Sequence, residues 1–162
     1  MKKNINRVAV IGSGVMGSGI ACHFANIGIN VLLLDIAPNE LNEKEKNLGL
    51  SLDDKKVKNR IVTEMFQRCI KSKPAPLYHK NFANRVELGN LTDDLCKISN
   101  VDWIIEVVTE KLKIKQIVFE QIEKFRSPGT LVTSNTSGIP IKQMNEGRSE
   151  DFRKNFAVTH FF

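Results

Sequence analysis

Arg7-Val-Ala-Val-Ile-Gly-Ser-Gly-Val-Met-Gly17 runs through small and apolar residues into Asn30-Val-Leu-Leu-Leu-Asp35. The reading of these two segments decides the fold. Arg7 to Ile11 is short, β-branched and apolar, as expected of a strand buried on both faces. Gly12-Ser13-Gly14-Val15-Met16-Gly17 then fits the pattern G-x-G-x-x-G. The first glycine permits a tight turn out of the strand, and the second lets backbone approach a pyrophosphate. The third allows close packing of helix on strand. A helix carrying Ile20, Ala21, Phe24 and Ala25 is expected next, closed by Gly28 in the left-handed position. Asn30 to Asp35 reads as a second buried strand. Strand, turn, helix and strand make a βαβ unit with a parallel pair and a right-handed crossover.

The helix start after the glycine loop offers unsatisfied N–H groups and partial positive charge to phosphates. Asp35 closes the second strand, 18 residues after Gly17. A carboxylate there accepts hydrogen bonds from both ribose hydroxyls of an adenosine and repels a 2′-phosphate. No Arg or Lys follows in Ile36-Ala37-Pro38, so NAD is favoured over NADP. Gly12, Ser13, Gly14, Val15, Met16, Gly17 and Asp35 are therefore the expected cofactor-binding residues.

Working outward, Asn39 to about Lys73 turns helical and heavily charged, with Asp53-Asp54 at a helix start. Val57, Ile61, Met65 and Ile70 recur on one side at roughly helical spacing. Pro74 and Pro76 end that region. Further strands are expected at Arg85 to Leu88, Val101 to Val108, Thr130 to Thr133 and Asn155 to Phe162. Between them lie a short helix from Thr92 to Ile98, with Thr92 as its cap, and another from Ile139 to Met144. An amphipathic helix spans Lys113 to Phe125, with Ile114, Ile117, Val118, Ile122 and Phe125 on one face. Glu106 falls inside a buried strand and so requires a partner. The alternation predicts an α/β fold: a doubly wound, mostly parallel sheet with a helical insertion between strands two and three.

The 162 residues suit one domain, able to bury about 70% of the unfolded chain's surface. Hydrophobic residues at 41% and charged residues at 26% exclude a disordered or collagenous chain. No apolar run approaches the ~18 residues of a membrane span, and the N-terminus from Met1 shows no signal-peptide pattern. Cys22, Cys69 and Cys96 have neither pairing nor metal spacing, which is expected of reduced thiols in a cytoplasmic protein. No metal site is read. The 24 basic against 18 acidic residues leave a charge of +6, compatible with an anionic partner. A nucleic-acid partner lacks support, because Tyr78 and Trp103 are single and supply no stacking platform.

Four segments, in order, carry a resemblance: Val8 to Gly17, Glu110-Lys-Leu-Lys-Ile-Lys115, Ser134-Asn-Thr-Ser137 and Thr159-His-Phe-Phe162. Together they resemble the NAD-binding domain of L-3-hydroxyacyl-CoA dehydrogenases, including the multifunctional fatty-acid oxidation proteins. The resemblance implies oxidation of a 3-hydroxyacyl-CoA to the 3-ketoacyl-CoA with hydride passing to NAD. It implies His160 as the general base and Ser137 as the residue that hydrogen-bonds the substrate oxygen. Glu110 and Lys115 match positions that contact the cofactor. In the family the charged insertion helps hold the CoA phosphates, for which Lys55, Lys56, Lys58, Arg60, Arg68, Lys71 and Lys73 are available.

The family pattern continues past His-Phe-Phe into Asn-Pro, a glutamate paired with the histidine, and a helical domain forming a homodimer. The sequence holds none of these, so it is expected to be the cofactor half of a larger dehydrogenase, weak or inactive alone. Two other readings stay open: a non-catalytic NAD-binding module, and a different NAD-dependent 3-hydroxyacid dehydrogenase.

Overall fold

The computed structural model describes residues 4–161. Six strands form one sheet: β1 (Arg7–Ile11), β2 (Asn30–Asp35), β3 (Val86–Asn90), β4 (Trp103–Glu106), β5 (Leu131–Ser134) and β6 (Phe156–Val158). Every neighbouring pair is parallel, in the order β3-β2-β1-β4-β5-β6. This is the strand order of a dinucleotide-binding sheet, and it reverses direction between β1 and β4. Val8 to Ile11 and Leu32 to Leu34 have no exposed surface, as the near-continuous apolar runs require of strands covered on both faces.

One face is covered by α1 (Val15–Asn26) and α4 (Arg60–Ile70), which bury Ile20, Phe24, Val62 and Phe66 against Val8, Val10, Leu33 and Ile105. Phe24 meets Trp103 edge-on at 5.4 Å, a geometry favoured by the ring quadrupoles. The other face is covered by α5 (Leu112–Phe125), α6 (Ile141–Met144) and α7 (Glu150–Lys154), with Phe119, Ile122, Met144, Phe152 and Phe156 on Ile11, Leu34 and Ile104. Helix α7 was not anticipated. Its signal is local: Ser149 accepts from Phe152 N, and Glu150 and Asp151 occupy the first turn.

The insertion is three helices: α2 (Glu43–Asn47), α3 (Lys55–Lys58) and α4. A reciprocal capping box between Asn42 and Glu45 starts α2, and Gly49, at φ +66°, follows its end. Val62 and Phe66 are buried in α4, whereas Ile61 and Met65 are only half-buried. Burying Val62 and Phe66 contributes about 1.5–3 kcal/mol each to docking α4.

Several boundaries move for identifiable reasons. β4 stops at Glu106 because the Glu106 carboxylate accepts from Val108 N at 2.7 Å and turns the chain out of the ladder. Thr92 caps no helix: Asn90 Oδ1 accepts from both Thr92 N and Asp93 N, and a 3₁₀ turn over Leu95–Asn100 follows. In α5 the buried residues are Lys115, Val118, Phe119 and Ile122, while Ile114, Ile117 and Phe125 are exposed. The expected face is thus rotated, because Lys115 has a buried partner. β6 ends at Val158, so His160 lies beyond the strand. Met1 to Lys3 and Phe162, the last residue of the expected sixth strand, lie outside the described residues.

Candidate cofactor and active site

The glycine loop links β1 to α1 through three different uses of glycine. Gly12 has φ +104°, and a Cβ there would stand 2.7 Å from Val107 O. At Gly17 a Cβ would stand 1.8 Å from Gly12 O, so helix and loop touch backbone to backbone. A Cβ on Gly14 would meet nothing within 4 Å: the space above it is open. Gly14 is also the N-cap of α1 and, like all glycine, brings no side chain to satisfy the first N–H groups. No acidic residue lies in that first turn. The uncapped dipole and the bare backbone together fit a pyrophosphate.

Asp35, at the end of β2, faces this loop. Its Oδ2 accepts from Ser13 N at 2.6 Å and Ser13 Oγ at 2.5 Å, and its Oδ1 from Ile36 N at 2.7 Å. Ser18 Oγ donates to Ser13 O at 2.6 Å from the helix side. These bonds hold the loop through protein groups alone. A carboxylate has about four acceptor positions, so Asp35 keeps capacity for a ribose hydroxyl. Val15 and Met16 are exposed at the loop's rim, beside the open space.

The second half of the site comes from β5 and β6. Asn135 N continues the β4–β5 ladder onto Glu106 O, and Thr159 N donates to Ser134 O at 3.1 Å. Ser137, three residues beyond β5, and His160, two beyond β6, then meet: Ser137 Oγ and His160 Nε2 share a hydrogen bond of 3.1 Å. Both residues are exposed at the C-terminal edge of the sheet, where the glycine loop also lies. This is the crevice in which open α/β sheets bind ligands.

Main-chain and side-chain contacts from β5 and α1 hold this pair. Asn135 Oδ1 accepts from Phe161 N at 2.8 Å, fixing the main chain just after His160. Thr159 Oγ1 lies 3.2 Å from Thr133 Oγ1, which also accepts from Trp103 Nε1 at 2.9 Å. Phe161 packs at 6.3 Å, edge to face, on Phe24. The sequence marks Asn135 as a turn former; its grip on the histidine segment depends on β5–β6 pairing and has no local signal.

Glu110 organises the Ser137 turn. Its Oε1 accepts from the Thr136 hydroxyl, Ser137 N at 3.2 Å and Gly138 N at 3.3 Å, while Lys115 Nζ lies 3.3 Å from its Oε2. Burial pushes the Glu110 carboxyl up, but the Thr136 hydroxyl, the Lys115 ammonium and the Gly138 amide outweigh it. They hold the carboxyl below its ordinary value. Its side chain is 45% exposed and stands ready at the site. Lys115 departs from expectation. With no exposed surface it has no face to present to a cofactor, and its ammonium is spanned by Glu106 and Glu110.

A family model described as the NAD binding domain of 3-hydroxyacyl-CoA dehydrogenase matches residues 7–162. The chain belongs to this family. It is 49% identical, over its full 162 residues, to a probable 3-hydroxyacyl-CoA dehydrogenase of Bacillus subtilis strain 168, of which it spans 20%. It is 42% identical over 158 residues to a probable 3-hydroxyacyl-CoA dehydrogenase of Deinococcus radiodurans, covering 98% of this chain and 42% of that protein. Among solved structures, 3-hydroxybutyryl-CoA dehydrogenase of Escherichia coli superposes with a TM-score of 0.66 at 29% identity, over 99% of this chain and 30% of that one. The chain thus spans between 20% and 42% of the curated relatives quoted. The family match and the open, uncapped glycine loop agree on NAD as the cofactor of this domain.

Among the described residues no helix is long and apolar enough to cross a membrane. No group of three or more metal-ligating side chains occurs among them either.

Proposed function

We propose that this chain supplies the cofactor site and the general base for NAD-dependent oxidation of a 3-hydroxyacyl-CoA. The contact between Ser137 Oγ and His160 Nε2, at the sheet edge beside the glycine loop, carries this reading. NAD contributes the hydride acceptor. With NAD bound, the C3–H electron pair would leave as hydride to it as the C3 hydroxyl loses its proton and a C=O bond forms. An imidazole nitrogen takes that proton, a role for which histidine is suited near neutral pH. Ser137 Oγ, held 3.1 Å from that nitrogen, orients the substrate oxygen toward it. Glu110 keeps the serine turn in place through two backbone amides.

The acyl-CoA assignment has separate support in the charged insertion. Lys44, Lys55 and Lys56 line an open groove between α2, α3 and α4, and ammonium groups suit phosphates; Arg60 lines it too but pairs with Glu45 at 2.8 Å. Lys58 lies outside that lining and pairs with Asp93 at 3.0 Å. Arg68, Lys71 and Lys73 stand farther along the chain. The same reading takes the full-length protein as a cytoplasmic homodimer with no nucleic-acid or membrane partner. Three cysteines that form no disulfide fit a reducing compartment.

The chain spans only 20% and 42% of the two curated relatives quoted. Acting alone, the chain should bind NAD and turn over slowly. The test is NADH formation from a 3-hydroxyacyl-CoA by the purified chain and by its His160→Gln variant. The parent should fall below about 1 s⁻¹. The variant should lose a further ~100-fold with NAD affinity unchanged. Equal rates for parent and variant would refute the assignment of His160.

A further inference from the structure

We propose that the buried Glu106–Lys115 pair is a positioning device for the Ser137 turn and contributes little to the stability of the fold. Neither side chain has any exposed surface. Lys115 Nζ donates to the two Glu106 carboxylate oxygens at 2.7 and 3.0 Å. Ser134 Oγ donates to the same carboxylate at 2.5 Å and Val108 N at 2.7 Å. The group is saturated, yet both ions have been taken out of water. In such cases the attraction roughly offsets desolvation, and an apolar pair of similar volume is often as stable or more so. Stability alone therefore gives no reason for this pair.

Its place in the fold gives one. Glu106 is the last residue of β4, aligned with Ile11 on one side and Ser134 on the other. It therefore sits under the point where the strand order reverses. From there the contacts run outward in series. Glu106 fixes the Lys115 ammonium, and the ammonium fixes Glu110 Oε2 at 3.3 Å. Glu110 Oε1 is left to grip Thr136, Ser137 and Gly138. With two carboxylates around one ammonium, the triad carries a net negative charge whose exposed end is Glu110. Removing the inner pair would leave Glu110 without its cation and free to swing toward solvent.

Its bearing on catalysis rests on the dehydrogenase reading above, but the positioning does not. The experiment compares the parent chain with Glu106→Gln/Lys115→Met, which removes both charges together, and with Thr136→Val, which leaves the pair intact. Thermal unfolding, amide hydrogen exchange by NMR and calorimetric NAD titration are recorded for each. The double variant keeps an amide oxygen at position 106 for Val108 N and should unfold near the parent's temperature. Its Ser137 and Gly138 amides should exchange about tenfold faster while Val10 and Ile105 keep their protection. Thr136→Val should show the same loss at Ser137 and Gly138. Unchanged exchange at those two amides in the double variant overturns the proposal. So does a double variant that fails to fold or melts well below the parent, since the pair would then be holding the core. A parent that binds no NAD sinks the dehydrogenase reading, while the exchange data still decide the positioning.

Discussion

Three glycines within six residues allow the glycine loop to be tested with one kind of substitution. At Gly17→Ala the new methyl begins 1.8 Å from Gly12 O, and ordinary contact starts at 3.4 Å. Helix α1 and the loop must therefore separate by about 1.6 Å, backbone against backbone, with no side chain to absorb the change. Overpacking of this kind costs about 1–3 kcal/mol, and a rigid backbone contact belongs at the upper end. The separation also carries the α1 N-terminus away from the loop, so NAD affinity should fall together with stability. At Gly14→Ala the methyl enters open space, so the fold should be unchanged within ~0.5 kcal/mol. The same methyl occupies the approach of the pyrophosphate, and NAD affinity should fall at least about tenfold. Gly19→Ala, on the same helix with nothing within 4 Å, should stabilise by ~0.5–1 kcal/mol and leave NAD affinity unchanged. Thermal unfolding and calorimetric titration read both quantities. A Gly17→Ala chain as stable as the parent, or a Gly14→Ala chain that binds NAD equally well, would refute the reasoning.

Other expectations follow from single contacts. Asn135→Ala leaves Phe161 N without its acceptor and should cost ~1–2 kcal/mol by denaturant titration. It should also broaden or shift the His160 ring resonances, because the histidine segment loses its tie to β5. Glu110 has a depressed carboxyl, so its contribution is present above the ordinary value of 4.5 and is lost as pH falls through the lower folded value. The Ser137 and Gly138 amides should accordingly stay protected at neutral pH and become labile only in acid; loss of protection between pH ~6 and ~7 would contradict this. Burial pushes the Cys22 thiol up to about 12 and also raises Cys69, whereas Cys96 is exposed. A thiol reagent at mildly alkaline pH should label Cys96 rapidly, the half-buried Cys69 more slowly and Cys22 only on unfolding, as counted by mass spectrometry.

The legible parts of this protein are those whose cause is local. β1, β2 and the glycine loop follow from apolar runs and from backbone geometry that only glycine allows, and Asp35 from its place at a strand end. Ser137 and His160 are 23 residues apart, and nothing in that spacing brings them together. Family resemblance named them, and β5–β6 pairing explains how they meet. Glu106 was recognisable as a buried acid in need of a partner, but the partner was not, since a lysine in a charged helix reads as solvent-facing. Lys115 turned inward is also why Ile114 and Ile117 face out of α5 where the apolar periodicity put them in. The grip of Asn135 on Phe161 and of Glu110 on the serine turn exists only once three separate strand ends converge.

The first βαβ unit should act as a working NAD site with Asp35 as its selector. Calorimetric titration of the purified chain with NAD and with NADP tests it directly. NAD should bind saturably and at least about tenfold tighter than NADP, a difference of ~1.4 kcal/mol or more. Equal affinity for the two would contradict the role of Asp35, and no binding of either would contradict the site itself.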